Sequence, residues 1–302
     1  NLNCPICKSK NLILIWNDKI RNGISKSTSK SKKIYRCENC DISFLEKRLK
    51  FLPDETILRK IKDKKKINQI LSFQSKRQLP KLKKIMKIYN YNKKKVLLVN
   101  CDFGLRILDI LKRKTNLTAG VPESENSIFI KDYLKKKGHK FFKNLKEVKN
   151  SNFKFDVIIS PAQIEHIYDP NKYLLDLKKL ITKNGIIILR IPNHDNIYKN
   201  VLDKVYLKDD YRISHNFYFS KRSCEFIFSK NKFRIIKKYG LMEHDINNLL
   251  NYIKLKKRPM QHDIKRKNKY RLYLSKKDNV TFTKHIENSQ ISTHFIYLIK
   301  PY

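Results

Sequence analysis

The chain has 302 residues, room for one full-sized core and a small accessory module. Its 16 Tyr and 16 Phe, with many Ile and Leu, exclude disorder by composition. No apolar run approaches the roughly 18 residues of a membrane span; candidates such as LILIW and IIIL are strand-sized.

Against 27 Asp and Glu stand 69 Lys and Arg, a net charge of +42. One explanation is a polyanionic partner such as RNA, DNA or an anionic membrane surface. The other is biased base composition, since Lys, Asn and Ile codons are rich in A and T and only 6 glycines occur. The lysines are spread along the whole chain, whereas a binding footprint is local, and this favours the compositional explanation.

Residues 1–50 open with NLNCPICKSK, which lacks the apolar centre of a secretory signal, so a cytoplasmic protein is expected. Cys4-Pro-Ile-Cys7 and Cys37-Glu-Asn-Cys40 are two C-x2-C knuckles. Each turns two thiolates toward one ion, and together they complete the four-sulfur tetrahedron that zinc prefers. The expectation is a zinc ribbon with strands in NLILIWN and IYRCENC, and SKSTSKSKK as a solvated loop between them. A closed four-cysteine shell leaves no open coordination position, so this zinc is structural. Cys101 and Cys224 fall outside the pattern and read as small buried apolar residues.

Residues 51–92 are expected to form a helical connector, on the spacing of Ile57, Leu58, Ile61, Ile67, Ile70 and Leu71. Pro80 interrupts it, and Leu82, Ile85, Met86 and Tyr89 resume the period. From 93 to 302 strand-like and helix-like segments alternate, with an extension from about 241. Strands are expected in KVLLVN, FDVIIS, GIIILRI, FRIIKKY and HFIYLIK, and weaker ones in TAGVPE and HKFF. The first three are apolar on both faces, as central strands of a parallel sheet must be. SENSIFIKDYLKKKG and DPNKYLLDLKKLITKNG read as helices, the second capped by Asp169 with Pro170 at its first position and running to Asn184-Gly185. The expected fold is therefore α/β: a doubly wound, Rossmann-like sheet preceded by the small ribbon. Ligands of such sheets bind beyond the carboxyl ends of the strands, here near Asn100–Gly104, Val121–Ser124 and Ser160–His166.

The order KFDVIIS, IEHIYDP, TKNGIIILRIPN resembles class I S-adenosylmethionine-dependent methyltransferases. With the cysteine knuckles, SHNFYFSKRSCEFIFSKNKF and the later KKYGLMEHDINNLLNYIKLKKRPMQHD, it resembles a bacterial group associated with sugar-nucleotide methylation. The resemblance implies an S-adenosyl-L-methionine cofactor held by Asn100, Cys101, Asp102, Gly104, Glu123, Ser160, Ala162 and Gln163. It also implies catalytic roles for His215, Glu165 and His166, with His215 contributing to base catalysis. Structural readings stand beside these: a capping or packing histidine at 215, and loop orientation by Glu165 and His166. The chain departs from the family in VLLVNCDFG, where Leu98 replaces the acid of the first loop and Asn100 and Asp102 replace two glycines. Glycine restored at those two positions is expected to tighten cofactor binding. The implied acceptor is a small molecule such as a sugar nucleotide. Two alternatives remain: an RNA methyltransferase gripping its substrate through the ribbon and basic surface, and a catalytically inactive binding protein.

Overall fold

The computed structural model describes residues 2–22, 26–50, 69, 83–101, 104–122, 128–256 and 273–302. Asp102, Glu123 and most of the expected connector over 51–92 lie outside the described residues; within it, residues 83–87 are helical. The chain divides into two compact units, each assembled from separate stretches of sequence.

The first unit comprises 1–53, 192–226 and 239–295. The strand-forming residues of the ribbon give β1 (Leu12–Asp18) and β4 (Lys32–Cys37), paired antiparallel from Leu12↔Cys37 to Asp18↔Lys32 with a bulge between Leu14 and Trp16. Between them, β2 (Arg21–Asn22) and β3 (Lys26–Ser27) make a short hairpin. β5 (Ser43–Leu45) follows the second knuckle and pairs with β4. The fourth strand of this sheet comes from far along the chain: β11 (Phe217–Tyr218) adds beside β5, giving the order β1-β4-β5-β11. Trp16, Ile20, Ile34, Leu45, Leu207, Tyr211 and Tyr218 form one apolar cluster, with the Trp16 and Tyr211 rings edge-on at 5.1 Å. A second cluster joins Tyr198, Met242, Leu249, Tyr252 and Ile286 where the helices Ile246–Leu255 and Lys276–Asn288 pack.

The second unit comprises 54–191, 227–238 and 296–302 and carries a seven-stranded sheet. Its strands are β6 (Lys95–Val99), β7 (Leu117–Val121), β8 (Lys140–Phe141), β9 (Phe155–Pro161), β10 (Ile181–Pro192), β12 (Phe233–Leu241) and β13 (His294–Pro301). They lie in the order β12-β13-β10-β9-β6-β7-β8. Strands β8, β7, β6, β9 and β10 run parallel, and the order reverses between β6 and β9. Counted within this unit the order is 3-2-1-4-5-7-6, a doubly wound sheet whose last strand is inserted before its sixth. Leu97, Leu98, Ile158 and Ile159 are fully buried, which accounts for the unbroken apolar runs of the central strands. Each such side chain contributes roughly 1.5–3 kcal/mol by leaving water.

The helix Leu105–Lys112 turns Leu105, Ile107, Leu108 and Leu111 inward. Gly120 leaves room for this helix and the helix Ile128–Lys136 against the sheet: a Cβ there would stand 2.8 Å from Leu134, 3.0 Å from the Cys101 sulfur and 3.3 Å from Leu108. The helix Pro170–Leu180 begins as expected, its Asp169 side chain accepting from the Lys172 amide at 3.1 Å. It ends four residues early. Ile181 is already extended and pairs with Phe155, and the Thr182 hydroxyl bonds Asp156 at 3.3 Å. Two β-branched residues thus leave the helical period for the sheet. Among the described residues, no helix is long and apolar enough to cross a membrane.

Candidate functional site

A doubly wound sheet opens a crevice where its strand order reverses, here at the carboxyl ends of β6 and β9. Their register (Val96↔Val157, Leu97↔Ile158, Leu98↔Ile159) brings Asn100 and the Ser160–His166 loop to the same end of the sheet. Asn100 has φ +55° and Ala162 φ +51°, both left-handed. Asn tolerates that region through its short polar side chain, whereas Ala pays about 1–2 kcal/mol for it. The two positions are tied by a long 3.5 Å bond from Asn100 Nδ2 to the Ala162 carbonyl. The Ala162 amide in turn donates to the Arg190 carbonyl of β10 at 2.8 Å. Strained, non-glycine backbone held from three strands is a feature of ligand loops.

Two acceptors stand out here. Asn100 Oδ1 and Gln163 Oε1 are removed from solvent and find no hydrogen-bond partner among the described residues. A buried acceptor left unmet costs about 1–3 kcal/mol, so this end of the sheet fits a ligand that brings donors. S-adenosylmethionine, with its ammonium and ribose hydroxyls, has that chemistry. Leu98 is fully buried, and its Cδ2 lies 2.7 Å from where a Cβ on Gly104 would stand, so the leucine fills the space beside that glycine.

The other implied ligand residues have different surroundings. The Ser160 hydroxyl lies 2.7 Å from the Tyr173 hydroxyl, fixing the end of β9 to the following helix. Burial, with the nearby Glu165 charge, pushes that tyrosine well up. The Cys101 side chain is fully buried against Gly120, a core position in keeping with its reading as a small apolar residue. Glu165 is 2% exposed, with Oε1 3.9 Å from His166 Nε2, and the His166 amide donates to the Gln163 carbonyl at 3.0 Å.

His215 belongs to the first unit. It is buried, its amide donates to Arg212 at 3.1 Å, and its ring lies 5.7 Å from that of Tyr218. In the same unit, His194 is a buried histidine that the motifs did not single out. Its amide donates to Phe219 at 2.7 Å, its Nε2 is 3.4 Å from the Tyr211 hydroxyl, and its Nδ1 has no described partner. Burial, reinforced by Lys199 and Arg36, pushes it down to about 3. Burial alone would raise the neighbouring Asp195 carboxyl, but the Lys199 ammonium 2.6 Å away holds it below the ordinary range.

The knuckles converge. Cys4, Cys7, Cys37 and Cys40 bring their sulfurs within 4.8 Å of one another, and none is in a disulfide. The Cys40 thiol 3.5 Å from Cys4 draws the Cys4 thiol down to about 5 and is itself pushed up. Four sulfurs at one point, one of them ready to ionise, fit a tetrahedral thiolate metal, with zinc the natural match.

No family model matches the sequence, and no curated protein matches it. Among solved structures, the chain is similar to an S-adenosylmethionine-dependent methyltransferase from Clostridium acetobutylicum, with 12% identity over 82% of this chain and 96% of that one and a TM-score of 0.42. It is likewise similar to a SAM-dependent methyltransferase from Archaeoglobus fulgidus, with 16% identity, 77% and 99% coverage and a TM-score of 0.46.

Proposed function

We propose that the chain is an S-adenosylmethionine-dependent methyltransferase acting on a small-molecule acceptor, a sugar nucleotide or related metabolite. The observation that carries this reading is the pair of buried acceptors, Asn100 Oδ1 and Gln163 Oε1, that find no partner among the described residues, on the loops where the strand order reverses. The family resemblance of KFDVIIS, IEHIYDP and SHNFYFS supports it.

When bound, the cofactor supplies an electrophilic methyl group on a positively charged sulfonium. The chain's own part is positioning and proton handling. Asn100 and Gln163 hold donor groups of the cofactor, and Asn100 keeps the left-handed turn conformation that glycine otherwise supplies. Glu165 and His166 orient the loop after β9. His215 takes the proton that an acceptor oxygen, nitrogen or carbon must lose.

The zinc reading belongs to the same proposal: Cys4, Cys7, Cys37 and Cys40 hold a structural ion.

Titration calorimetry with S-adenosylmethionine tests the enzyme reading. Saturable binding is expected; none at millimolar cofactor overturns the reading and leaves the inactive binding protein that Leu98 suggests. Where the cofactor binds, nucleic acid that co-purifies and is released steeply by salt replaces the small-molecule acceptor with RNA.

A further inference from the structure

β11 is two residues long, too short to hold itself, and it begins two residues after His215. Its strand pairing comes from the cysteine ribbon, while the Tyr218 hydroxyl is also held by the Arg212 backbone, accepting from its amide at 2.9 Å and donating to its carbonyl at 3.0 Å. Phe217 pairs with Phe44 and Tyr218 with Ser43, on a strand that begins three residues after Cys40. The Leu45 amide donates to the Asn216 carbonyl at 3.1 Å. The fully buried Asn216 carboxamide acts as a further rung: it accepts from the Leu49 amide at 2.7 Å and donates to the Leu49 carbonyl at 2.8 Å.

The second knuckle also touches the segment directly. Asp41, left-handed at φ +64° with its amide on the Cys37 carbonyl, presents one carboxylate oxygen to the Ser220 hydroxyl at 2.5 Å and the other to Arg36 Nε at 2.7 Å. Arg222 donates to the Asn39 carbonyl, inside the Cys37–Cys40 turn, at 3.0 Å. The turn that sets the sulfurs therefore also sets the partners of Ser220 and Arg222.

We propose that the cysteine cluster is the anchor of the segment 214–223, with Asn216 and Ser220 as positioning residues, so that metal occupancy fixes the conformation of His215. A ribbon of about 50 residues has too small a core to hold its own turns, and a four-thiolate ion is what such modules depend on. Losing the ion frees the knuckle, then β5, then β11. The proposal rests on the four cysteines holding a metal and stands whether or not the chain transfers methyl groups, because its readout needs no cofactor.

The test is hydrogen–deuterium exchange of the full chain, zinc-loaded by elemental analysis and then stripped with a chelator. Stripping is expected to raise exchange of peptides covering 214–223 at least tenfold while β6 and β9 keep their protection. Unchanged protection of 214–223 overturns the proposal, as does a chain that takes up no zinc. Should stripping unfold the whole first unit, the zinc-loaded Asn216→Ala and Ser220→Ala variants decide. Faster exchange confined to 214–223 with full zinc content supports the proposal, and wild-type exchange in both overturns it.

Discussion

At the scale of single residues, Asn100 changes meaning between sequence and structure. Aligned on motifs alone, it is a lost glycine, and restoring glycine there and at Asp102 is expected to tighten cofactor binding. The left-handed φ of +55° explains why glycine suits the position, but the Asn side chain also carries a bond to Ala162 and an unmet acceptor. Under the proposed function the expected sign therefore reverses at Asn100. Asn100→Gly and Gln163→Ala should each weaken S-adenosylmethionine roughly five- to tenfold, one ordinary hydrogen bond's worth. Calorimetry reads this directly; tighter binding by Asn100→Gly would return the residue to a drifted glycine.

His194 gives a second residue-scale prediction, and its sign follows from its depressed value. An unfolded histidine titrates near 6.5, whereas this one is pushed down to about 3. Between those values the unfolded chain binds a proton that the native chain refuses, so stability is full above pH 6.5 and falls as pH drops toward 3. The loss approaches about 5 kcal/mol, at roughly 1.4 kcal/mol for each of about 3.5 units. Urea midpoints between pH 7 and 4 should fall less steeply for His194→Phe than for the parent; equal slopes would remove His194 as the source.

Among elements, the helix Pro170–Leu180 separates what local sequence encodes from what it does not. Its start was legible because a cap is a local event: Asp169 accepts from Lys172 and Pro170 occupies the first helical position. Asp169→Ala should cost about 1 kcal/mol, read as a drop of a few degrees in the thermal midpoint. Asp169→Asn should restore most of it, since Asn caps as well as Asp. The end of the helix was misjudged because Ile181 and Thr182 join a strand whose partners, Phe155 and Asp156, lie far back in the chain. The β strands of the sheet were legible from their apolar runs, and the knuckles from their spacing. β11 was not, because two residues carry no period and its partner Phe44 is remote. The site was read in the same uneven way. Topology alone puts the candidate loops at strand ends, but the bond from Ser160 to Tyr173 depends on packing that no motif states.

For the whole molecule, charge dominates the balance. Even if every acidic side chain met a basic one, 42 cationic groups would have no acidic partner. The Arg36–Asp41 and Lys149–Asp176 pairs, at 2.6 and 2.9 Å, are local and relieve little of this. A compact body with that excess repels itself, and the repulsion is weaker in the expanded chain, so folding is opposed at low ionic strength. Salt acts on these terms unequally. Screening with a Debye length near 10 Å at 0.1 M removes the long-range repulsion among exposed lysines, while pairs at contact distance lose less. The thermal midpoint should therefore rise by several degrees between 0.02 and 0.3 M sodium chloride. Sulfate at matched ionic strength should raise it further through its exclusion from the protein surface. A basic surface formed by compositional drift predicts this stabilisation for any screening ion. A surface shaped for a polyanion predicts in addition that a short RNA at micromolar concentration raises the midpoint beyond what matched ionic strength achieves, an effect that 0.3 M salt abolishes. Scanning calorimetry across the salt series with and without the RNA separates the two origins. A midpoint that falls with added salt would mean that attraction, not repulsion, governs the surface, against both.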